Sequence, residues 1–490
     1  MASERVHRFE ELQTRGFIDV NFEDSAFVTF WWRQLIVIAL ALAALIYCVV
    51  QWPLPMFIAL NGLMSLVYLV IVIFRFYIMF RGDLAAHGAI VATQTELDAL
   101  GDPATLPVYT LLCPLYHEAE TVGQFLRAMA AMDYPLDKLE IQLLLEEDDV
   151  PTQQAAEAAR RQLSHPESIR LIVLPNAQPR TKPKACNYGL RQARGEFAVI
   201  YDAEDVPEPD QLKRALAAFR RLPAETVCVQ AKLNYFNPRQ NLLTRFFTAE
   251  YSMWFDLFLP GLAVVNSPIP LGGTSNHFKM AALRSLGGWD AFNVAEDADL
   301  GIRIARQGYT TAIIDSTTWE EANSRVGNWI RQRSRWVKGY MQVWLVAMRH
   351  PLRLLRALGP WRFFCFQVTV GGTPLVLLLN PVYWLLTVVY GLTAWSLIPR
   401  LFPQPVLAMS MLTALVGNLI FVYLLMFGLL RRRQYELVPL MFLSPVYWVL
   451  QSLAAWKGLY QLIVKPHYWE KTLHSLADAP ARAIVEEKRV

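Results

Sequence analysis

The chain has 490 residues, of which 54 % are hydrophobic and 18 % charged. That is long enough for two or three domains and too apolar for an ordinary soluble protein. Its net charge is +4, and the basic residues lie mostly among acidic ones, which argues against a nucleic-acid partner. The five cysteines, Cys48, Cys113, Cys186, Cys228 and Cys365, show no CxxC pair and no metal-ligand spacing, so they read as reduced, structural residues of a cytosol-facing or membrane-embedded protein.

Two apolar runs come first, Leu35–Val50 and Pro55–Phe80, framed by aromatic residues. Each can span about 30 Å of hydrocarbon. Neither reads as a cleaved signal, because the polar segment 1–30 precedes them and no small-residue cleavage site follows. The loop QWPLP is uncharged while Arg33 and Arg81 flank the pair. The positive-inside rule therefore puts the N-terminus, and everything from Arg81 onward, in the cytoplasm. Arg75 lies close enough to its helix end to snorkel.

From 82 to about 360 no apolar run is long enough to span. Three return afterwards: Phe363–Ile398, interrupted by GG and NP, then Pro405–Leu430 and Leu437–Val464. RRRQ at 431–434 is expected on the cytoplasmic side, so Pro405–Leu430 runs inward and Phe363–Ile398 outward. Leu437–Val464, broken at Pro445 and carrying Lys457, is expected to be re-entrant or interfacial. The expected layout is a cytoplasmic segment 1–30, two transmembrane helices in 31–81, a cytoplasmic domain 82–345, an interfacial amphipathic helix 346–362, a C-terminal membrane block 363–464 and a cytoplasmic tail 465–490.

Within the cytoplasmic domain, strand patterns (VYTLLCP, EIQLLLEE, SIRLIVLPN, EFAVIYDAED, TVCVQAKLNYF) alternate with amphipathic helices such as TQQAAEAARRQL and DQLKRALAAFRRL. This alternation predicts an α/β fold whose mostly parallel sheet is covered on both faces. Ligands bind such sheets at the carboxyl ends of the strands, where the clusters Glu146-Glu147-Asp148-Asp149 and Asp202-Ala203-Glu204-Asp205 fall. One acidic cluster usually caps a helix or solvates a loop. Two at adjacent strand ends point to a divalent cation, Mg²⁺ or Mn²⁺, facing a diphosphate. The sequence has no GxxxxGK[ST] loop and no GxGxxG after the first strand, which excludes a P-loop NTPase or a dinucleotide enzyme. Further on, Leu300 and Ile304 lie one turn apart and predict a helix after Asp297. Glu296, Asp297 and Asp299 occupy its first turn, where they either cap the helix or supply a general base held ionised by the macrodipole.

Together these motifs resemble the family 2 inverting glycosyltransferases, specifically membrane-embedded synthases of the cellulose, curdlan and hyaluronan type. The resemblance covers roughly 105–345 and the helix-domain-helix layout. It implies a nucleotide-sugar-binding, GT-A-like domain inserted between transmembrane segments. CPLYHE resembles the family's nucleotide-binding start, with Tyr116 and Glu118. LLLEED stands in place of an Asp-Asp pair, with Glu146 and Glu147. KPKACNYGL resembles the stretch near the diphosphate, with Lys184 and Asn187. DAED takes the DxD position, so Asp202 and Glu204 are the implied metal ligands. AED stands where the family has Thr-Glu-Asp, with Ala295 replacing Thr, Glu296 beside it and Asp297 in the base position. QRSRW matches Q-x-x-R-W through Gln332, Arg335 and Trp336. The tail KPHYWEKTLH resembles bacterial exopolysaccharide synthases and phage-adsorption protein B-like members, which implies a bacterial inner membrane.

What the resemblance implies chemically is a metal on Asp202 and Glu204 that, with Arg335, stabilises the leaving diphosphate, and Asp297 as acceptor base. Trp336 and Gln332 would meet the acceptor, as would LGGTSNHF through Gly272, Gly273 and Thr274, whose glycines permit close backbone approach. His277 reads as a packing residue, and Trp329, Arg331, Arg333 and Lys338 as surface or interface residues. Segments 246–260 and 343–361 read as amphipathic helices on the membrane surface. Three functions fit: a processive synthase using a UDP-sugar and exporting a β-linked polysaccharide, a single-transfer enzyme acting on a lipid or lipid-linked acceptor, and a non-catalytic membrane scaffold or receptor component.

Overall fold

Runs such as TLLC and QLLL, apolar at nearly every position, are satisfied only in a sheet covered on both faces. The computed structural model, which describes residues 22–84, 88–176 and 178–470, places them there. The N-terminal segment up to residue 21 and the tail beyond 470 lie outside the described residues. Eight strands form one sheet: β1 (Tyr109–Leu115), β2 (Leu139–Glu146), β3 (Ile169–Leu174), β4 (Phe197–Ile200), β5 (Val206–Pro207), β6 (Thr226–Tyr235), β7 (Asn276–Lys279) and β8 (Thr310–Glu320). Their order is β3-β2-β1-β4-β7-β6-β8-β5. The β3-β2-β1-β4 half is parallel, β7 pairs antiparallel with both β4 and β6, and β6 and β8 are parallel again. The sequence pattern finds β1 to β4 and β6. It misses β5, which is two residues long, β7, which sits in the polar stretch NHFK, and β8, rich in threonine and bulged in its pairing with β6.

The helices that matter for the site are α1 (Trp32–Gln51), α2 (Pro53–Leu84), α3 (Val122–Ala130), α4 (Val150–Arg161), α5 (Lys182–Gln192), α6 (Gln211–Arg221), α7 (Leu242–Met253), α8 (Glu296–Arg306), α9 (Val326–Ala347), α10 (Pro351–Phe366), α11 (Gly372–Thr393), α12 (Gln404–Leu412), α13 (Asn418–Arg431) and α14 (Ser444–Val464). Leu212, Ala215, Leu216 and Phe219 of α6 are buried at the spacing of one helical stripe and pack with Phe125 of α3 on one face of the sheet. On the other face a second core runs from Ile200, Cys228 and Phe278 through Phe246, Phe247 and Phe258 to Ile78, Leu425 and Met441. This core joins the sheet directly to the apolar helices.

Among the described residues, five segments are long and apolar enough to cross a membrane: Trp32–Gln51, Pro53–Asp83, Pro351–Thr393, Gln404–Arg431 and Tyr435–Val464. Their outer faces leave large apolar side chains without protein neighbours, Leu40 at 65 % and Leu392 at 82 % exposure, a surface suited to hydrocarbon. The region expected to lie on the membrane surface, 246–260, is instead a buried wedge: Phe247, Leu257 and Phe258 are at most 1 % exposed. Apolar and aromatic residues nearly all round leave no stripe for water. α13 crosses it backbone to backbone, since a Cβ on Gly428 would meet the Met253 nitrogen at 2.6 Å. The expected helix 346–362 is split, because Gly359 has φ 74° ahead of Pro360. Arg432 meets Asp256 at 2.5 Å, and at the far end Lys457 meets Glu470 at 2.8 Å while Arg335 donates to the Glu470 carbonyl at 2.9 Å. Both ends of Tyr435–Val464 therefore lie against the α/β domain.

Candidate active site

A cavity of about 810 Å³ opens at the carboxyl ends of β1, β2 and β4 and continues between α2, α11, α13 and α14. Tyr116, Glu118, Asp202, Glu204, Gly272, Gly273, Thr274, Glu296, Asp297, Gln332, Arg335 and Trp336 all line it, so the topology gathers residues from across more than two hundred positions of sequence.

Glu147 and Lys184 do not line it, which corrects their expected place beside a diphosphate. Glu147 is exposed and accepts from the Asn176 backbone at 3.0 Å. Lys184 is 3 % exposed and paired with Glu146 at 2.7 Å. The lysine that faces the cavity is Lys182, two residues earlier, at the first position of α5. Its ammonium contacts the Asp202 carboxylate at 2.5 Å and the Gly273 carbonyl at 2.6 Å. Burial alone would lower its pKa, but Asp202 and Glu296 outweigh it and hold it raised, so Lys182 is charged. Only the helix register separates the two lysines of TKPK. Thr274 is also corrected: it is 2 % exposed, and its hydroxyl is engaged with the Asp205 carboxyl and the Ile200 carbonyl, so it braces the strand end.

Glu296 and Asp297 open α8, as the pattern around Leu300 and Ile304 predicts. Asp297 accepts from the Ala298 backbone at 2.7 Å. The helix terminus was expected to hold it ionised, yet burial dominates and pushes Asp297 up to about 6, while burial and the neighbouring Asp297 push Glu296 up to about 8. A carboxylate of that basicity is suited to taking a proton near neutral pH. α9 touches this turn closely: a Cβ on Gly339 would lie 2.5 Å from the Ala295 methyl.

On α9, Gln332, Arg335 and Trp336 face the cavity. The Gln332 carbonyl oxygen is buried without a partner among the described residues, a vacancy a ligand hydroxyl fits. Arg335 stacks on Trp469 at 4.4 Å. Their expected surface neighbours are mostly interior: Trp329 and Lys338 are fully buried and the Arg333 side chain is 12 % exposed, while Arg331 is exposed at 48 %. His277 is buried and bonded to the Tyr109 hydroxyl at 2.8 Å, a packing role. Sequence reasoning missed Lys182, Glu250 and Glu320, all of which line the cavity.

Asp202 and Glu204 fit a hard divalent cation. Glu320 is held well above the carboxylate range by burial and by the charges of Asp205, Glu204 and Asp202, an excess of negative charge that a cation relieves. No group of three metal-ligating side chains occurs among the described residues. A two-carboxylate site that leaves its other positions to phosphate and water is the usual form for Mg²⁺.

Residues 107–339 match the family model described as Glycosyltransferase like family 2. A probable glycosyltransferase, YdaM of Bacillus subtilis, is 27 % identical over 267 residues, covering 54 % of this chain and 62 % of that protein. Glucomannan 4-beta-mannosyltransferase 2 of Arabidopsis thaliana is 28 % identical over 210 residues, covering 42 % of this chain and 39 % of its own. The chain thus spans about 40 to 60 % of the curated relatives it matches. Among solved structures, the mannosyltransferase PcManGT from Pyrobaculum calidifontis, in complex with GDP-Man and Mn2+, has a TM-score of 0.54 at 19 % identity, covering 83 % of this chain and 99 % of that one; it shares the fold. Segment 107–339 of this chain, with the cavity built on its strand ends, is a glycosyltransferase family 2 domain, GT-A-like and flanked by apolar helices.

Proposed function

We propose that the protein is a membrane-embedded inverting glycosyltransferase that extends a β-linked glycan from a nucleotide sugar and feeds the product between its membrane helices. One observation carries this reading: a single cavity runs from Lys182 and Asp202, past Asp297 and Trp336, to Arg75 and Asn380 among the apolar helices. Tyr116 and Glu118 hold the nucleotide end, and Lys182 and Arg335 meet the diphosphate. Asp202 and Glu204 would hold a divalent cation, which would add to the neutralisation of the leaving charge. Asp297 accepts the proton of the acceptor hydroxyl. The acceptor oxygen then bonds to the anomeric carbon as the bond to the diphosphate breaks, which inverts that centre. Gln332 and Trp336 hold the acceptor, the indole offering an apolar sugar face its counterpart.

In our reading the chain sits in a bacterial inner membrane with the α/β domain in the cytoplasm. Four segments cross, and Tyr435–Val464 returns to its own side; the contacts at both of its ends with the α/β domain support this. The mannosyltransferase names of the Arabidopsis relatives make GDP-mannose the first donor to try, with UDP-sugars beside it. A second reading, single transfer to a lipid-linked acceptor, draws on Arg75, held to Thr373 at 2.8 Å within the apolar part of the cavity.

The test is nucleotide release and product size for the purified full chain, with GDP-mannose, UDP-glucose and UDP-N-acetylglucosamine and Mn²⁺ or Mg²⁺. A long, glycosidase-sensitive product from one donor supports the synthase. Label confined to a lipid extract supports the second reading, and no turnover with any donor overturns transfer.

A further inference from the structure

Arg333 lies between the two residues expected to contact the acceptor, and its guanidinium sits in an aromatic cage. Its guanidinium carbon is 4.8 Å from the ring centroids of Trp336 and Phe247 and 5.3 Å from that of Trp329. One carboxylate, Glu250 of α7, receives this cation. The same carboxylate accepts from the Tyr447 hydroxyl at 2.6 Å and from the Gln451 amide at 3.2 Å, both on α14. Glu250 thereby collects three donors from two helices at one wall of the cavity, with its side chain 20 % exposed.

A guanidinium stacked on an indole fixes that ring only while the guanidinium itself is fixed. Arg333 sits three residues before Trp336, so the two side chains are neighbours on one helix face. Tyr251, next to Glu250, has its ring 6.1 Å from Trp336 at 31°, which closes the indole in from α7.

We propose that Glu250 is the positioning residue of the acceptor platform: by anchoring Arg333 to Tyr447 and Gln451, it sets the angle at which Trp336 presents its indole to the acceptor sugar. This rests on the transferase reading above. It also makes acceptor binding depend on α14, a helix of the membrane block, so the register of α14 against α7 governs how the sugar stacks. Glu250 itself touches no reacting atom in this scheme.

The experiment uses the full chain in nanodiscs, with saturation-transfer NMR of mannotetraose and cellotetraose, calorimetry of GDP and UDP, thermal unfolding and nucleotide release. Glu250→Gln and Arg333→Met are expected to weaken binding of whichever oligosaccharide the wild type takes by about tenfold, with nucleotide affinity unchanged. Arg333→Lys keeps the charge for Glu250 but not the planar stack, so it is expected to restore the unfolding temperature without restoring the oligosaccharide. Equal loss of both ligands in Glu250→Gln would mean a merely structural role and overturn the proposal, as would oligosaccharide binding at wild-type strength. A wild type that turns over a donor but binds neither oligosaccharide overturns the platform alone. A wild type with neither property overturns the transfer reading beneath it.

Discussion

At the strand ends, Lys182, Asp202 and Asp205 are fixed by the sheet and its loops: the Asp202 amide donates to Asp205 at 2.7 Å and Lys182 bridges Asp202 to Gly273. Gln332, Arg333 and Trp336 instead ride on a helix held by side chains from α7 and α14, which lie 83 and 114 residues from Arg333 in sequence. On the proposed mechanism, the donor half is assembled from charges on rigid backbone, where single hydrogen bonds set positions. The acceptor half is assembled from rings and one shared carboxylate, where packing sets angles. Damage to the first should appear as lost chemistry or donor affinity, and damage to the second as a looser acceptor.

The sharpest break is Asp297→Asn, which sits between the halves. It is expected to lower the rate of nucleotide release by about 10³-fold, within the usual range for a general base, while calorimetry with GDP or UDP shows little change. Next come the two lysines of TKPK, which separate structure from function within one turn. Lys184→Met strands Glu146 in the interior and should cost about 3–5 kcal/mol of stability, read as a lower unfolding temperature. Lys182→Met should leave folding nearly intact and weaken donor binding by roughly ten- to a hundredfold, the worth of charged hydrogen bonds of about 1.5–3 kcal/mol. The pH profile is gentler. A base works only when deprotonated, and Asp297 is pushed up to about 6, so kcat/KM should fall about tenfold per unit below that pH. Asp297→Asn should lack this limb. The smallest effect is expected from Trp336→Phe, about threefold on oligosaccharide affinity, because an aromatic face survives in a smaller ring.

The same division governs what could be read in advance. Acidic clusters after apolar runs are visible because strand ends and loop chemistry follow one another along the chain, so Asp202, Glu204 and Asp297 were legible. QxxRW was legible as a pattern, but the burial of Trp329, Arg333 and Lys338 was not. Their neighbours, Phe247, Tyr447 and Tyr468, are supplied by elements far off in sequence. Lys182 and Lys184 differ by two positions on a helix, which points them about 200° apart; no composition rule decides which one faces the cavity. Glu320 stayed hidden because β8 is rich in threonine and bulged.

The contact between Gly339 and Ala295 limits how such proteins can be recombined. With only 2.5 Å available for a Cβ, the helix carrying Gln332 and Trp336 and the turn carrying Asp297 have no slack between them. A methyl added at Gly339 would have to move one element relative to the other. Chimeras that exchange either motif alone are therefore expected to misalign base and acceptor, and the two segments should be traded between relatives only as a matched set.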